Sequence, residues 1–125
     1  VAIPSAKRLR VLVIDDDRDV LEFFSESLDA LGHVPLLAAN GPSGLARLHE
    51  KPDAMIVDFA MPGMNGAEVA ERVRNIIPGL PIVFATGYAD TDAIEPVRGD
   101  APMLRKPFKL ADLAEALQIA TTKAP

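Results

Sequence analysis

The chain has 125 residues, 49% of them hydrophobic and 25% charged, which suits one globular domain with room for a core. Its net charge of −5 argues against a surface built to grip nucleic acid. Cysteine is absent, which excludes disulfides, zinc–thiolate centres and thiol nucleophiles, and no apolar run approaches the ~20 residues of a membrane span.

Residues 1–8, "VAIPSAK" and the arginine after it, read as a linker or disordered lead-in. The chain begins with Val1 and not Met, so it is expected to be processed or cut from something longer. From there, short apolar runs alternate with segments of helical period, the pattern of an α/β domain over residues 9–121. "RVLVI" is the first expected strand, and Val20, Leu21, Phe24, Leu28 and Leu31 trace a helical face that Gly32 ends. "HVPLLA" follows, then a weaker helix in "GPSGLARLHEK" with Leu45 and Leu48. "AMIV" precedes a helix with Val69, Val73, Ile76 and Ile77 on one side, closed by "PGLP". "PIVFA" precedes a fourth helix that is expected to be short and interrupted at Pro96, because proline has no N–H to donate. A short "PML" strand, flanked by Pro102 and Arg105, suits a sheet edge, and Leu110, Leu113, Leu117 and Ile119 mark a fifth helix. Residues 122–125 are expected to fray as a tail. Near-continuous apolar strands of this kind predict a parallel sheet covered on both faces.

The polar residues gather where these strands end. Asp15 and Asp16 follow the first, Asp58 the third, Thr86 the fourth and Lys106 the fifth. In open parallel sheets, ligands bind beyond the carboxyl ends of the strands, where the strand order reverses. With strand order 2-1-3-4-5, three carboxylates, a hydroxyl and an ammonium would share one crevice. Two like charges about 4 Å apart repel by ~4 kcal/mol at an effective dielectric near 20, so such a cluster calls for a cation. Mg²⁺ takes oxygen ligands and suits carboxylates with a backbone carbonyl, and a phosphoryl group would complete the set.

"VLVIDDD", "MIVDFAMPGMNG", "FATGY" and "LRKPF", in this order and spacing, resemble the receiver domain of two-component response regulators. The resemblance implies a flavodoxin-like (βα)5 fold and a phosphoacceptor role in a phosphorelay. Asp58 would take a phosphoryl group from a histidine kinase or phosphotransfer protein. Asp16, Asp58 and the carbonyl of Ala60 would bind Mg²⁺ directly, and Asp15 through water. Thr86 would hydrogen-bond the phosphoryl oxygens and Lys106 would pair with their charge. The Lys106–Pro107 bond is cis in the family, and the domain works in the cytoplasm by protein contact, with a downstream protein target. "FATGY" with a non-aromatic last strand resembles a subgroup of alphaproteobacterial receivers, found alone or at the end of hybrid histidine kinases. Met103 stands where the family usually has Tyr or Phe, so the switch is expected to involve Met103 and Tyr88.

Each residue has a plainer reading. Asp17 is expected to begin the first helix, where a carboxylate favours the dipole. Asp58, Thr86 and Lys106 taken singly would be strand-end or solvated residues, and only their convergence argues for chemistry. His33 and His49 are expected at the surface, and Met61 and Met64 as loop packing. The rival enzyme is an aspartate-nucleophile phosphatase of the haloacid dehalogenase type, whose "DxD" spacing Asp15 and Asp17 match. Such enzymes follow the second Asp with "G-T", where this chain has "RD". A nucleotide binder of the same fold is disfavoured because three carboxylates would repel phosphate. A phosphate-independent interaction module would not need all five polar residues.

Overall fold

The computed structural model describes the backbone of residues 8–87 and 91–122, and the side chains of all of these but 91–93. Strands β1 (Arg10–Ile14), β2 (Val34–Ala38), β3 (Ala54–Asp58), β4 (Ile82–Thr86) and β5 (Met103–Arg105) pair in parallel in the order β2-β1-β3-β4-β5. Side chains alternate across a strand, and here both sides are buried. Leu12, Ile14, Met55, Val57 and Phe84 face one layer; Val11, Val13, Ile56 and Val83 face the other. That explains the unbroken apolar runs.

Helices α1 (Arg18–Ala30) and α5 (Leu110–Thr121) cover the second face with Phe24, Leu28, Leu113 and Leu117. The first is covered by α2 (Gly41–Ala46), α3 (Gly66–Ile76) and α4 (Thr91–Arg98), through residues such as Val69, Val73 and Ile94. Burying each large side chain contributes roughly 1.5–3 kcal/mol, so both layers are needed for stability. The weak second helix is indeed short: six residues of α2, then a 3-10 turn over Leu48–Glu50. It lies so close to the sheet that a side chain at Gly44 would collide with Ile14.

Three features depart from the sequence reading. Ile76 and Ile119 are exposed, because α3 turns Val69, Ala70 and Val73 inward and α5 turns Leu113, Ala116, Leu117 and Ala120. Leu110 is exposed as well. Finally, α4 continues through Pro96 to Arg98. The Arg74 guanidinium of α3 donates to the Val97 and Arg98 carbonyls at 3.0 and 3.2 Å, which satisfies acceptors that a helix end leaves open.

Candidate functional site

Parallel strands bring all their carboxyl ends to one rim, and backbone bonds carry the order one residue beyond the strands. Asp15 N–H donates to the Ala38 carbonyl (3.1 Å), Phe59 N–H to Ala85 (2.9 Å) and Lys106 N–H to Thr86 (2.8 Å). Asp15, Asp58 and Lys106 are thereby fixed relative to one another.

The turn after β1 aims the first carboxylate inward. Asp15 is 1% exposed, and one of its oxygens accepts from the Asp17 N–H at 2.9 Å. Asp17 is the N-cap of α1, accepting from Asp19 N–H (2.9 Å) and Val20 N–H (3.3 Å). It serves the helix, as expected, which disposes of the "DxD" phosphatase pairing. Asp58 ends β3, 5% exposed, and continues the parity of Ala54 and Ile56 toward the α1/α5 face. Behind it the loop folds back so tightly that Gly66 N–H donates to the Phe59 carbonyl (2.8 Å). A Cβ on Gly66 would stand 2.6 Å from the Asp58 carbonyl oxygen and 2.7 Å from Phe59 Cα, so only glycine fits. Gly63 takes a φ of +78°, which favours glycine too.

Carboxylate oxygens of Asp15, Asp16 and Asp58 lie within 4.8 Å of one another, with Asp16 exposed at the mouth. The Lys106 ammonium bridges the two buried ones, donating to Asp58 Oδ1 at 3.0 Å and Asp15 Oδ2 at 3.2 Å. Three carboxylates against one ammonium leave a formal excess of two negative charges when all are ionised. Burial pushes the Asp58 carboxyl up to about 6; the hydrogen bond from Lys106 works against this and the neighbouring charges of Asp15 and Asp16 add to it. Asp15 is raised by burial as well, opposed by its backbone bond from Asp17 and by Lys106. For Lys106, burial favours loss of the proton, but the carboxylates outweigh it and the ammonium is held above its ordinary range. All-oxygen donors, an excess of two charges and one side open to water fit a small hard divalent cation.

The remaining expected residues are less directly joined. Thr86 is fully buried, and its hydroxyl donates to the Gly87 carbonyl at 3.0 Å. Ala60 lies exposed in the loop two residues past Asp58. Met103 opens β5 opposite Phe84, half-buried against the α3/α4 layer. Tyr88 lies outside the described residues. The Lys106–Pro107 bond is cis. Two arrangements escaped the sequence reading. His33 is half-buried, its Nδ1 accepting from Leu9 N–H at 3.1 Å, and Phe108 meets two phenylalanines of α1, Phe23 edge-on and Phe24 at a tilt. The signal for Phe108 was its place in "RKPF"; nothing local marked His33.

The family model described as "Response regulator receiver domain" matches residues 11–118. The chain belongs to the response regulator receiver domain family. Its relatives include the response regulator receiver protein CpdR of Brucella abortus, 37% identical over 116 residues, covering 87% of this chain and 93% of CpdR. The sporulation initiation phosphotransferase F of Bacillus subtilis is 27% identical over 112 residues, covering 87% and 90%. Among solved structures, a response regulator receiver domain protein from Clostridium thermocellum superimposes with a TM-score of 0.85 at 28% identity, covering 90% of this receiver and 94% of that chain. The receiver therefore has the flavodoxin-like fold that its strand order implies. Among the described residues, no helix is long and apolar enough to cross a membrane.

Proposed function

We propose that Asp58 accepts one phosphoryl group from the phosphohistidine of a histidine kinase or phosphotransfer protein. A carboxylate oxygen of Asp58 attacks phosphorus while the bond from phosphorus to the imidazole nitrogen breaks in line. The observation that carries this reading is the Lys106 ammonium standing between two buried carboxylates, with Asp16 in the same cluster. Asp15, Asp16, Asp58 and the Ala60 carbonyl would hold Mg²⁺, which when bound neutralises phosphoryl oxygens and holds them for displacement. Forming the acyl phosphate removes the charge of Asp58 and leaves the Lys106 ammonium to the phosphoryl oxygens. Asp15, on which Lys106 also leans, keeps the ammonium at hand. The domain then catalyses only its own phosphorylation and dephosphorylation, in the cytoplasm where kinases find ATP. It hands the signal to a downstream protein and neither binds nucleic acid nor enters a membrane. Residues 9–121 form the working unit.

The Thr86 hydroxyl, now on the Gly87 carbonyl, would turn to the phosphoryl oxygens. Thr86 continues the β4 parity of Ile82 and Phe84, and Met103 packs in that same layer, which supports Met103 as the side chain that follows Thr86. Tyr88, two residues past Thr86, would report the change to partners. The test is intact mass after treatment with acetyl phosphate. One added phosphoryl group per chain is expected with Mg²⁺, and none without it or in Asp58→Ala. An equally labelled Asp58→Ala protein would overturn the assignment.

A further inference from the structure

The Lys106 ammonium sits at the end of a flexible four-carbon stem, so its position depends on how firmly its own backbone is held. On one side the hold is clear: Lys106 N–H is bonded to the Thr86 carbonyl at 2.8 Å. On the other side comes Pro107, which has no N–H, and then Phe108. The Phe108 ring is fixed by ring contacts. Its centroid lies 5.0 Å from Phe24 and 5.4 Å from Phe23, and those two rings meet edge-on at 6.3 Å. Consecutive residues point about 100° apart around a helix, so the rings of Phe23 and Phe24 flank Phe108 from two directions. Phe24 is fully buried and belongs to the core; Phe23 is 40% exposed, more than core packing requires.

We propose that Phe23 and Phe24 clamp Phe108 so that it acts as a positioning residue, setting where the Lys106 ammonium stands over Asp58. The inference rests on the role given to Lys106 under the proposed function. One helix joins both sides of the charge cluster. Its N-cap N–H holds the Asp15 carboxylate, and roughly two turns further on its rings hold the segment that carries Lys106. Relaxing the clamp leaves the carboxylates in place and lets the ammonium drift. Charge stabilisation of a transferring phosphoryl group depends on such placement, and errors near 1 Å cost large factors in rate.

The experiment measures the rate of phosphorylation by acetyl phosphate at saturating Mg²⁺, a donor too small to need a docking surface. Phe23→Ala and Phe108→Leu should each slow it about tenfold, while the Mg²⁺ concentration for half-maximal rate stays within about twofold. Phe23→Tyr keeps the ring and should react as wild type. In a Lys106→Ala background, adding Phe23→Ala should change nothing further, because the effect runs through the missing ammonium. Wild-type rates in both phenylalanine variants, or the same fold-loss with and without Lys106, would overturn the clamp alone. A Lys106→Ala protein reacting at the wild-type rate would instead overturn the reading of Lys106, and the clamp with it. Phe23→Ala changes a partly exposed ring, so it decides the matter even if Phe108→Leu does not fold.

Discussion

Without a divalent ion at neutral pH, Asp58 must ionise while buried beside Asp15, with Lys106 as the one cation offsetting it among the described residues. Its carboxyl is pushed from 3.8 up to about 6, so the folded state binds the proton more tightly than the unfolded chain. Stability of the ion-free protein should therefore fall as pH rises from about 4 to about 6, by up to about 3 kcal/mol from this residue. Asp58→Asn should be more stable than wild type at pH 7.5, and the gap should close by pH 4. Urea unfolding at the two pH values measures it, and a gap independent of pH would contradict the charge account. Asp16 is exposed and brings a carboxylate oxygen into the same cluster, so Asp16→Asn should lose most of the rise in melting temperature that Mg²⁺ gives wild type, as mass action on the folded state predicts. Equal Mg²⁺ stabilisation in both proteins would remove Asp16 from the ligand set. The place of these residues was legible in the sequence because parallel strands bring their carboxyl ends, and the residues just beyond them, to one rim whatever the details of packing. The hydroxyl direction of Thr86 and the bond from Leu9 to His33 were not legible, since each depends on a rotamer or on a contact 24 residues away.

The loop between β3 and α3 has little room for change at Gly66. Gly66→Ala would press a methyl group against backbone atoms of Asp58 and Phe59, which cannot move aside as a side chain could. Overpacking of that kind costs about 1–3 kcal/mol, so a lower melting temperature and slower phosphorylation are expected together. A variant with both unchanged would show that the loop yields easily. At the other end of the sheet, His33 accepts the Leu9 N–H through Nδ1, and burial lowers its pKa. The folded state resists its proton, so this residue's contribution is complete above about 6.5 and declines as pH falls below that value. In an Asp58→Asn background, which removes the opposing slope of that residue, His33→Gln should shift the pH dependence of stability between pH 7 and 5 toward greater relative stability at the lower pH. Chemical denaturation at several pH values tests this; an unchanged slope would acquit His33. Helix boundaries were readable from periodicity and caps, as Asp17 and Gly32 show. Helix rotation was less so. Ile76 and Ile119 fit an apolar stripe in sequence, yet the inward face of α3 is Val69, Ala70 and Val73 and that of α5 is Leu113, Ala116, Leu117 and Ala120, a rotation that periodicity alone does not fix.

Across the molecule, the strand order 2-1-3-4-5 came with the family resemblance, and in that order Asp15, Asp58 and Lys106 do meet at one rim. The division into two apolar layers followed from period-two alternation once both faces were covered. What stayed hidden was long-range detail such as Arg74 capping α4 from α3 and Arg47 joining Glu50 to the Leu37 carbonyl. The common direction of the strands has a practical consequence. The proposed chemistry lies on one rim, so the turns on the other rim can be lengthened by an engineer, or by evolution, without touching it. Gly79, in the turn before β4, has a φ of +91° and open space where a side chain would begin. A short peptide carrying a fluorophore, spliced in there, would sit a full strand away from Asp58, about 17 Å. It would travel with the receiver as a reporter while phosphorylation ran at its native rate.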